Sequence, residues 1–286
     1  MVWLLLSVLC SVSVGVLLKV SARRGLDASQ LVTWNYLAAS VLALVLLKPS
    51  LAVLSSAQTP WASLLVLAVL LPALFMAMAQ ALRQAGIIRT DAAQRLSLLL
   101  SLLAAFTWFG ETINLLKFAG LALGLLAMAG ILARPAGHEA AAGAWRWLLA
   151  VWLGYATVDV LLKHLAGAGT PSTAALLISF AGAFVLMLAV QLWRQWRQHT
   201  RLDGRHLVWG LALGGLNFAN ILCYIRAHQA MPDNPAVIFA GMNIGVVVLG
   251  TLAGTLIFGE ATRRANRVGL VLAVVAIALI AVGARS

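Results

Sequence analysis

The chain has 286 residues, of which 63% are hydrophobic and 10% are charged. Soluble domains usually carry about 25% charged residues, so this composition excludes an ordinary soluble domain. Apolar runs of about 20 residues recur along the whole length, as in proteins with membrane-spanning helices. The net charge of +12 does not point to a nucleic-acid partner, because basic residues collect in the cytoplasmic loops of membrane proteins.

Ten apolar segments follow one another and are joined mostly by short loops. Continuous apolar runs favour helices over a membrane β-barrel, whose strands would alternate in polarity. The predicted spans are 2–20, 31–48, 61–83, 88–110, 115–134, 145–165, 172–191, 207–230, 235–258 and 265–284. The first run lacks a basic start and a small-residue cleavage site, so we do not expect a signal peptide.

Two short motifs occur twice in the chain. Val14–Lys19 returns as Val158–Lys163 at an offset of 144 residues. Phe109-Gly110-Glu111 returns as Phe258-Gly259-Glu260 at an offset of 149 residues. A repeat of about half the chain indicates a duplicated unit.

We therefore predict a first five-helix repeat over 1–134, a linker over 135–144 and a second repeat over 145–286. An odd number of helices per repeat places the two copies in opposite orientations. The predicted fold is an all-α integral membrane protein with ten transmembrane helices in two inverted five-helix repeats. A substrate site is expected between the repeats, near the membrane midplane.

The loops differ in charge between the two sides of the membrane. Thirteen lysines and arginines fall in the odd-numbered loops or beside them, against four on the other side. The positive-inside rule then places both termini outside the cytoplasm. Glycines at GxxxG spacing form grooves on the surface of a helix. Such grooves indicate close helix packing within the chain or a homodimer interface. These pairs are Gly120–Gly124, Gly210–Gly214, Gly241–Gly245 and Gly250–Gly254.

Polar side chains inside a span are costly and normally face the bundle interior or a water-filled cavity. In the sixth span, Tyr155, Asp159 and Lys163 share one helix face at spacings of four. Asp159 either pairs with Lys163 or lines a cavity, where it binds an ammonium group or relays a proton. In the fourth span, Gln94 and Arg95 share a face with Asp91, so Arg95 either pairs with that acid or binds a substrate carboxylate.

Three polar groups, Asn217, Asn220 and Tyr224, form a stripe on the eighth span. Two further amides lie in other spans, Asn243 in the ninth and Gln80 in the third. Such groups recognise a zwitterion or polyol, or they hydrogen-bond between helices as structural contacts.

Charged residues also lie near the span ends. Lys19 and Lys163 occupy equivalent positions, where they either extend to the membrane interface or attract anions and gate the site. Glu111 and Glu260 follow the fourth and ninth spans, and each is expected to cap the first turn of the next helix, with a role in ion coupling as the alternative.

No catalytic motif, cofactor motif or metal-ligand cluster occurs in the sequence. Cys10 and Cys223 lie in apolar runs far apart, which excludes a CxxC motif. We therefore expect no cofactor and no metal.

The two Phe-Gly-Glu motifs, each followed by a glycine-bearing helix, resemble the EamA-type branch of the drug/metabolite transporter superfamily. The resemblance covers the whole chain and implies inverted five-helix repeats around a central cavity. It also implies transport of amino acids or other small metabolites. The small multidrug relatives have an acid in the first helix, which is absent here. Family members are usually drawn with cytoplasmic termini, contrary to the charge count above.

The residues and the resemblance together predict a secondary transporter for a small polar metabolite in the bacterial inner membrane, with protons as the candidate coupling ion. An amino acid or similar zwitterion is the leading candidate substrate. Alternatives are an organic-anion transporter of the same fold, a membrane-embedded enzyme on a lipid-linked substrate, and a structural protein.

Overall fold

The computed structural model describes residues 1–50, 59–107, 114–132, 143–232, 235–261 and 264–283. Its helices are α1 (Val2–Arg23), α2 (Ala28–Leu42), α3 (Trp61–Gln84), α4 (Ile87–Leu96), α5 (Leu98–Thr107), α6 (Leu115–Leu132), α7 (Ala144–Gly167), α8 (Ser172–Gln198), α9 (Gly204–Ala230), α10 (Pro235–Leu256) and α11 (Arg264–Gly283). A π-helical turn, Ala43–Leu47, continues α2. No β-strand occurs within these ranges, and the predicted all-α membrane fold is confirmed.

The helices have the length and surface of membrane spans. Eight of those in the described ranges are long and apolar enough to cross a membrane, and α6 is a shorter apolar helix. The remaining span consists of α4 and α5 in succession. Large apolar side chains such as Leu126, Val185 and Val271 are exposed on the outside of the bundle, where lipid replaces water.

Contacts along α4 and α5 show the relative directions of α1 and α7. Trp152 of α7 contacts the carbonyl of Leu96. Further along both helices, Asp159 of α7 contacts Ser101, so α7 runs parallel to the fourth span.

In α1 the order is reversed. Ser11 of α1 contacts Arg95 in the last turn of α4. The later Lys19 of α1 lies at the first turn of α4, because it pairs with Glu260, whose carboxylate binds the amide of Ile87. The first helices of the two repeats are therefore antiparallel, as inverted repeats require.

One side of the bundle carries most of the arginines, and we call it the arginine-rich face. There Arg194 pairs with Asp27 at 2.7 Å, and the side chain of Gln30 donates to the carbonyl of Arg201 at 3.0 Å. The chain leaves α1 and enters α4 at this face, so the start of α4 lies beside the end of α1.

The predicted GxxxG grooves pack against helices of the same chain. A Cβ added at Gly214 would lie 2.4 Å from the carbonyl oxygen of Asn35 on α2, and one at Gly245 would lie 2.9 Å from Val8 on α1. Gly120 and Gly250 face α11 and α4 in the same way. Close backbone approach thus holds the bundle together, and a homodimer interface remains a prediction.

The predicted span 88–110 is interrupted at Ser97, which separates α4 from α5. Glu111, most of the predicted linker and the predicted cap Asp233-Asn234 lie outside the described residues.

Candidate functional site

The fourth span is interrupted near its middle, and neighbouring groups stabilise the interruption. The hydroxyl of Ser97 donates to the carbonyl of Gln94 at 2.7 Å. The amide of Leu100 donates to the Ser97 carbonyl at 3.0 Å instead of the Leu96 carbonyl. The indole Nε1 of Trp152 donates to the Leu96 carbonyl at 2.8 Å. Interrupted helices whose backbone groups are bonded by neighbours recur at transporter substrate sites.

Arg95, two residues before the break, is the cationic centre of the site. Its Nη2 donates to the hydroxyl of Ser11 on α1 at 2.6 Å, while its buried Nε has no partner. Its charge also interacts electrostatically with Asp91, Tyr155, Tyr224 and Asp159. The fold thus brings four predicted site residues (Arg95, Tyr155, Asp159, Tyr224) together from α4, α7 and α9.

Asp159 lies opposite the break and accepts a hydrogen bond from Ser101 of α5 at 2.9 Å. Its side chain is accessible to solvent, although protein atoms surround most of it. Among the described residues, Asp159 forms no ion pair with Lys163, which lies one turn further along α7. Asp159 is therefore accessible to a ligand ammonium group while Ser101 orients one of its oxygens.

The internal repeat relates the Asp159–Ser101 pair to a second pair of positions in the bundle. Asp159 is equivalent to Gly15 at the offset of 144, and Ser101 is equivalent to Gly250 at the offset of 149. The space between the two glycines holds the carboxylate of Asp91. A Cβ at Gly250 would lie 2.2 Å from its Oδ2, and one at Gly15 would lie 3.8 Å from its Oδ1. One acid therefore lies at each of the two places: Asp159 is itself a member of the first pair, and Asp91 of α4 lies between the two glycines of the second.

The predicted amide residues make contacts that fit both proposed roles. The side chain of Asn217 donates to that of Asn35 on α2 at 3.4 Å. The side chain of Asn220 accepts from Ser7 on α1 at 2.8 Å. The side chain of Asn243 donates to the Phe239 carbonyl of its own helix at 2.9 Å. These bonds leave other donors and acceptors on each amide, so a substrate role stays a prediction.

The remaining members of the predicted polar set lie differently. Gln94 is half-buried on α4 beside Arg95, and its equivalent at the offset of 149 is Asn243. The Tyr224 ring packs edge-on against His228, with centroids 4.7 Å apart.

Gln80 is separated from the residues around Arg95. It lines a cavity of ≈ 290 Å³ at the arginine-rich face, together with Asp27, Arg83 and Arg194. The sequence analysis grouped Gln80 with the other amides by residue type, whereas the structure places it beside Asp27, Arg83 and Arg194. We therefore treat it as part of the arginine-rich face.

Lys19 and Glu260 form an ion pair at the arginine-rich face that joins the two repeats. Their side chains are 12% and 13% exposed, so Lys19 does not extend to the interface as expected of a snorkelling residue. The ammonium also lies 4.6 Å from the ring centroid of Phe258. A cavity of ≈ 230 Å³ lined by Lys19, Arg23 and Arg83 adjoins the pair.

Glu260 also caps a helix, but not the helix that we predicted. Its Oε1 accepts from the amide of Ile87 at 2.7 Å and its Oε2 accepts from the amide of Ile88 at 3.1 Å. It therefore caps α4 of the first repeat, and the amides of 262–263, where the predicted cap of α11 would lie, are outside the described residues. Gly86, with φ +87°, permits this approach, because a Cβ there would lie 2.6 Å from Oε2. The expected attraction between a carboxylate and free helix amides thus occurs at α4, a partner that the sequence did not indicate, and the cap of α11 stays a prediction.

Sequence reasoning missed Ser11, Ser101 and Trp152 as parts of the site. Serines in membrane helices usually bond their own backbone, so no signal marked these two. Within the described ranges, no three His, Cys, Asp or Glu side chains lie together so as to hold a metal ion.

Comparisons with known proteins agree with this architecture. Residues 1–133 match the model of the EamA-like transporter family. A protein of Haemophilus influenzae (strain Rd) named "Uncharacterized protein" is 39% identical over 285 residues, covering 96% of this chain and 95% of that protein. A solved crystal structure, 17% identical, matches 98% of this chain and 97% of its own with a TM-score of 0.55, which shows the fold alone.

These matches confirm the resemblance inferred from the repeated motifs. The chain is a multi-pass membrane protein that belongs to the EamA-like transporter family, within the drug/metabolite transporter superfamily.

Proposed function

We propose that this protein is a secondary active transporter that moves a small polar metabolite across the bacterial inner membrane by alternating access. The leading substrate class is an amino acid or a similar zwitterion. The proposal rests chiefly on one observation: Arg95 lies two residues before the break in the fourth span, with its Nη2 bonded to the Ser11 hydroxyl and its buried Nε without a partner. Charged groups of both signs inside a membrane bundle are costly, and they normally mark a substrate or ion pathway.

In this proposal, Arg95 binds the substrate carboxylate, since its Nη2 bonds only a serine hydroxyl and its Nε has no partner. Asp159 binds the substrate ammonium group, and Ser101 orients its carboxylate. Tyr155, Tyr224 and the amides Gln94, Asn217, Asn220 and Asn243 complete the polar lining. The repeats, 1–134 and 145–286, move relative to each other around this site. Lys19 and Lys163 act at its two ends as gating residues.

The organic-anion alternative fits the site less well. The charges closest to Arg95 are two carboxylates, and a substrate with negative charge alone would leave Asp159 without a counter-ion. An ammonium group on the substrate removes this repulsion. The termini remain assigned to the outside of the cytoplasm by the arginine count.

The test is uptake by purified protein in proteoliposomes, with labelled amino acids, dicarboxylates and organic cations offered separately. We expect uptake of a zwitterion, and its loss in Arg95→Gln and in Asp159→Asn. Arg226→Gln is the matched control, because Arg226 is an exposed arginine outside the site. Preferred uptake of dicarboxylates would favour the organic-anion alternative, and uptake of none of these compounds would overturn the proposal.

A further inference from the structure

Asp91 is a buried acid to which the transport proposal assigns no role. Its side chain is buried on α4, with the residue 3% exposed, and its Oδ2 has no hydrogen-bond partner. Gly15 and Gly250 enclose the carboxylate from α1 and α10. At Gly250 even a methyl group would collide with Oδ2, at 2.2 Å. The carboxylate thus needs a glycine at position 250, whereas a Cβ at Gly15, 3.8 Å from Oδ1, would make an ordinary contact.

The charged and titratable groups that face Asp91 come from its own helix and from two others. Arg95 lies one turn away on α4, Glu260 follows α10, and Tyr155 lies on α7. Lys19 of α1 is held by Glu260. None of the ion pairs within the described residues includes Asp91. The charged form of a buried carboxylate is costly when the group has no ion pair and one of its oxygens accepts no hydrogen bond. A bound proton removes that cost.

Asp91 and Glu260 lie along one seam between α4 and α10. Gly250 faces Asp91, and Gly254, one turn later on α10, faces both Ile88 and the Oε2 of Glu260 at 3.0 Å. The two carboxylates are therefore separated by about one helical turn, roughly 6 Å. At this distance and in a medium of low dielectric constant, two negative charges repel strongly. A charge on Asp91 thus opposes the contact of Glu260 with the start of α4.

We propose that Asp91 binds the coupling proton and that its protonation controls whether Glu260 remains bound to the N-terminus of α4. This inference rests on the transport function proposed above. With a proton on Asp91, Glu260 caps α4, pairs with Lys19 and holds the two repeats together at the arginine-rich face. Loss of the proton to water leaves Asp91 as a carboxylate, and its repulsion weakens the Glu260 contact. One proton is taken up from water on one side and released to water on the other in each cycle.

This assignment gives the two acids different roles and moves the proton from Asp159, where the sequence analysis placed it as one alternative, to Asp91. Asp159 is accessible and hydrogen-bonded by Ser101, as a group that binds a substrate ammonium should be. Asp91 is enclosed and lies between the substrate site and the Glu260–Lys19 pair. Proton binding and substrate binding therefore occur on different carboxylates, and variants can separate them.

Two transport assays on the same proteoliposomes test the proposal. Accumulation driven by a pH gradient needs proton coupling, whereas counterflow exchange of labelled for unlabelled substrate needs only substrate binding and alternating access. We expect Asp91→Asn, in which no charge repels Glu260, to lose gradient-driven accumulation and to retain counterflow at a reduced rate, and Asp159→Asn to lose both. Asp203→Asn, an exposed acid at the start of α9, is the matched control and should retain both.

The outcomes distinguish this inference from the proposed function. A wild-type protein that transports no zwitterion overturns the proposed function and this inference with it. A wild type that transports, together with an Asp91→Asn variant that still accumulates substrate along a pH gradient, overturns this inference alone.

A second measurement covers the case in which Asp91→Asn does not fold. Substrate is added to the purified wild type in weakly buffered detergent solution, and a pH indicator records proton release or uptake. We expect protons to be exchanged on substrate binding, and Asp91→Ala, which removes bulk from the enclosed site, to abolish the exchange. Substrate binding by the wild type without any proton exchange between mildly acidic and mildly alkaline pH would overturn the inference.

Discussion

Glu260, beyond the end of α10, accepts a hydrogen bond at 2.7 Å from the backbone amide of Ile87, the first residue of α4. Its carboxylate also pairs with Lys19, so one side chain joins the ninth, fourth and first spans. A carboxylate at a helix start interacts favourably with the exposed amides and the helix dipole. The motif that indicated duplication in the sequence is thus a connection between the duplicated halves.

Glu260→Gln is expected to destabilise the protein by about 1–3 kcal/mol, because it removes a charged cap and leaves Lys19 without its ion-pair partner. Thermal unfolding in detergent, followed by tryptophan fluorescence, measures the change. In a double-mutant cycle with Lys19→Gln, we expect a coupling energy of about 0.5–3 kcal/mol. Additive effects of the two substitutions would contradict the ion pair.

Gly250→Ala is expected to cost about 1–3 kcal/mol, because its Cβ would lie 2.2 Å from Asp91 Oδ2. Gly215→Ala is the matched control, since a Cβ there meets nothing within 4 Å. It should stabilise α9 by up to about 1 kcal/mol through helix propensity. Combining Gly250→Ala with Asp91→Ala should recover stability, measured by the same thermal unfolding. Equal destabilisation by the two glycine substitutions would exclude the close approach of Asp91.

Trp152→Phe is expected to destabilise the break in the fourth span by about 1–3 kcal/mol, because the Leu96 carbonyl loses its donor. The phenyl ring retains most of the apolar contact, so the substitution isolates the hydrogen bond. Trp196→Phe is the control, since Trp196 is 72% exposed. The two unfolding midpoints are compared, and a similar small change in both would argue against a specific role for the indole N–H.

Ser101→Ala is expected to raise KM for transport by about two- to tenfold, the effect of losing one hydrogen bond of 0.5–1.5 kcal/mol. Asp159→Asn should reduce transport much further, because it removes the charge that attracts the substrate ammonium. Thr157→Ala serves as a control, since its hydroxyl bonds the Leu153 carbonyl of the same helix. Initial uptake rates at varied substrate concentration give these values. A normal KM in Ser101→Ala would separate Ser101 from substrate binding.

Asp27 predicts a dependence of stability on pH. Partial burial raises its pKa, but hydrogen bonds from Arg194 and the Ser29 amide and the charge of Arg194 outweigh this effect and hold the pKa below its ordinary value. A carboxyl group whose pKa is lower in the folded state stabilises the fold above its unfolded pKa, and this stability is lost as the pH falls. The unfolding midpoint should therefore drop in acid, and Asp27→Asn should reduce that drop. An unchanged acid dependence in Asp27→Asn would assign it to other groups.

Most of the spans could be predicted from the sequence because they are long apolar runs whose length matches the bilayer. The break at Ser97 could not be predicted, since the surrounding leucines favour helix and no proline or glycine marks the position. It depends on a tertiary contact, the indole of Trp152.

The candidate site was predictable in its residue types and less so in its pairings. Arg95 and Asp159 were identified because charge inside a span is rare. Helical spacing allowed pairs between Asp159 and Lys163 and between Asp91 and Arg95, as alternatives to substrate binding by Asp159 and Arg95. The tertiary structure instead gives Asp159 the hydroxyl of Ser101 and encloses Asp91 between two glycines. Partners on other helices have no fixed spacing in sequence, so periodicity could not reveal them.

The capping of α4 by Glu260 also bears on how the chain is made. Ile87 and its partner are 173 residues apart in the sequence. At a synthesis rate of 5–20 residues per second, the start of α4 waits roughly 9 to 35 s for its carboxylate. During that time the first five helices lie in the membrane with these amides unsatisfied by Glu260. The first half of the protein therefore reaches its final form only after the ribosome has made nearly all of the second.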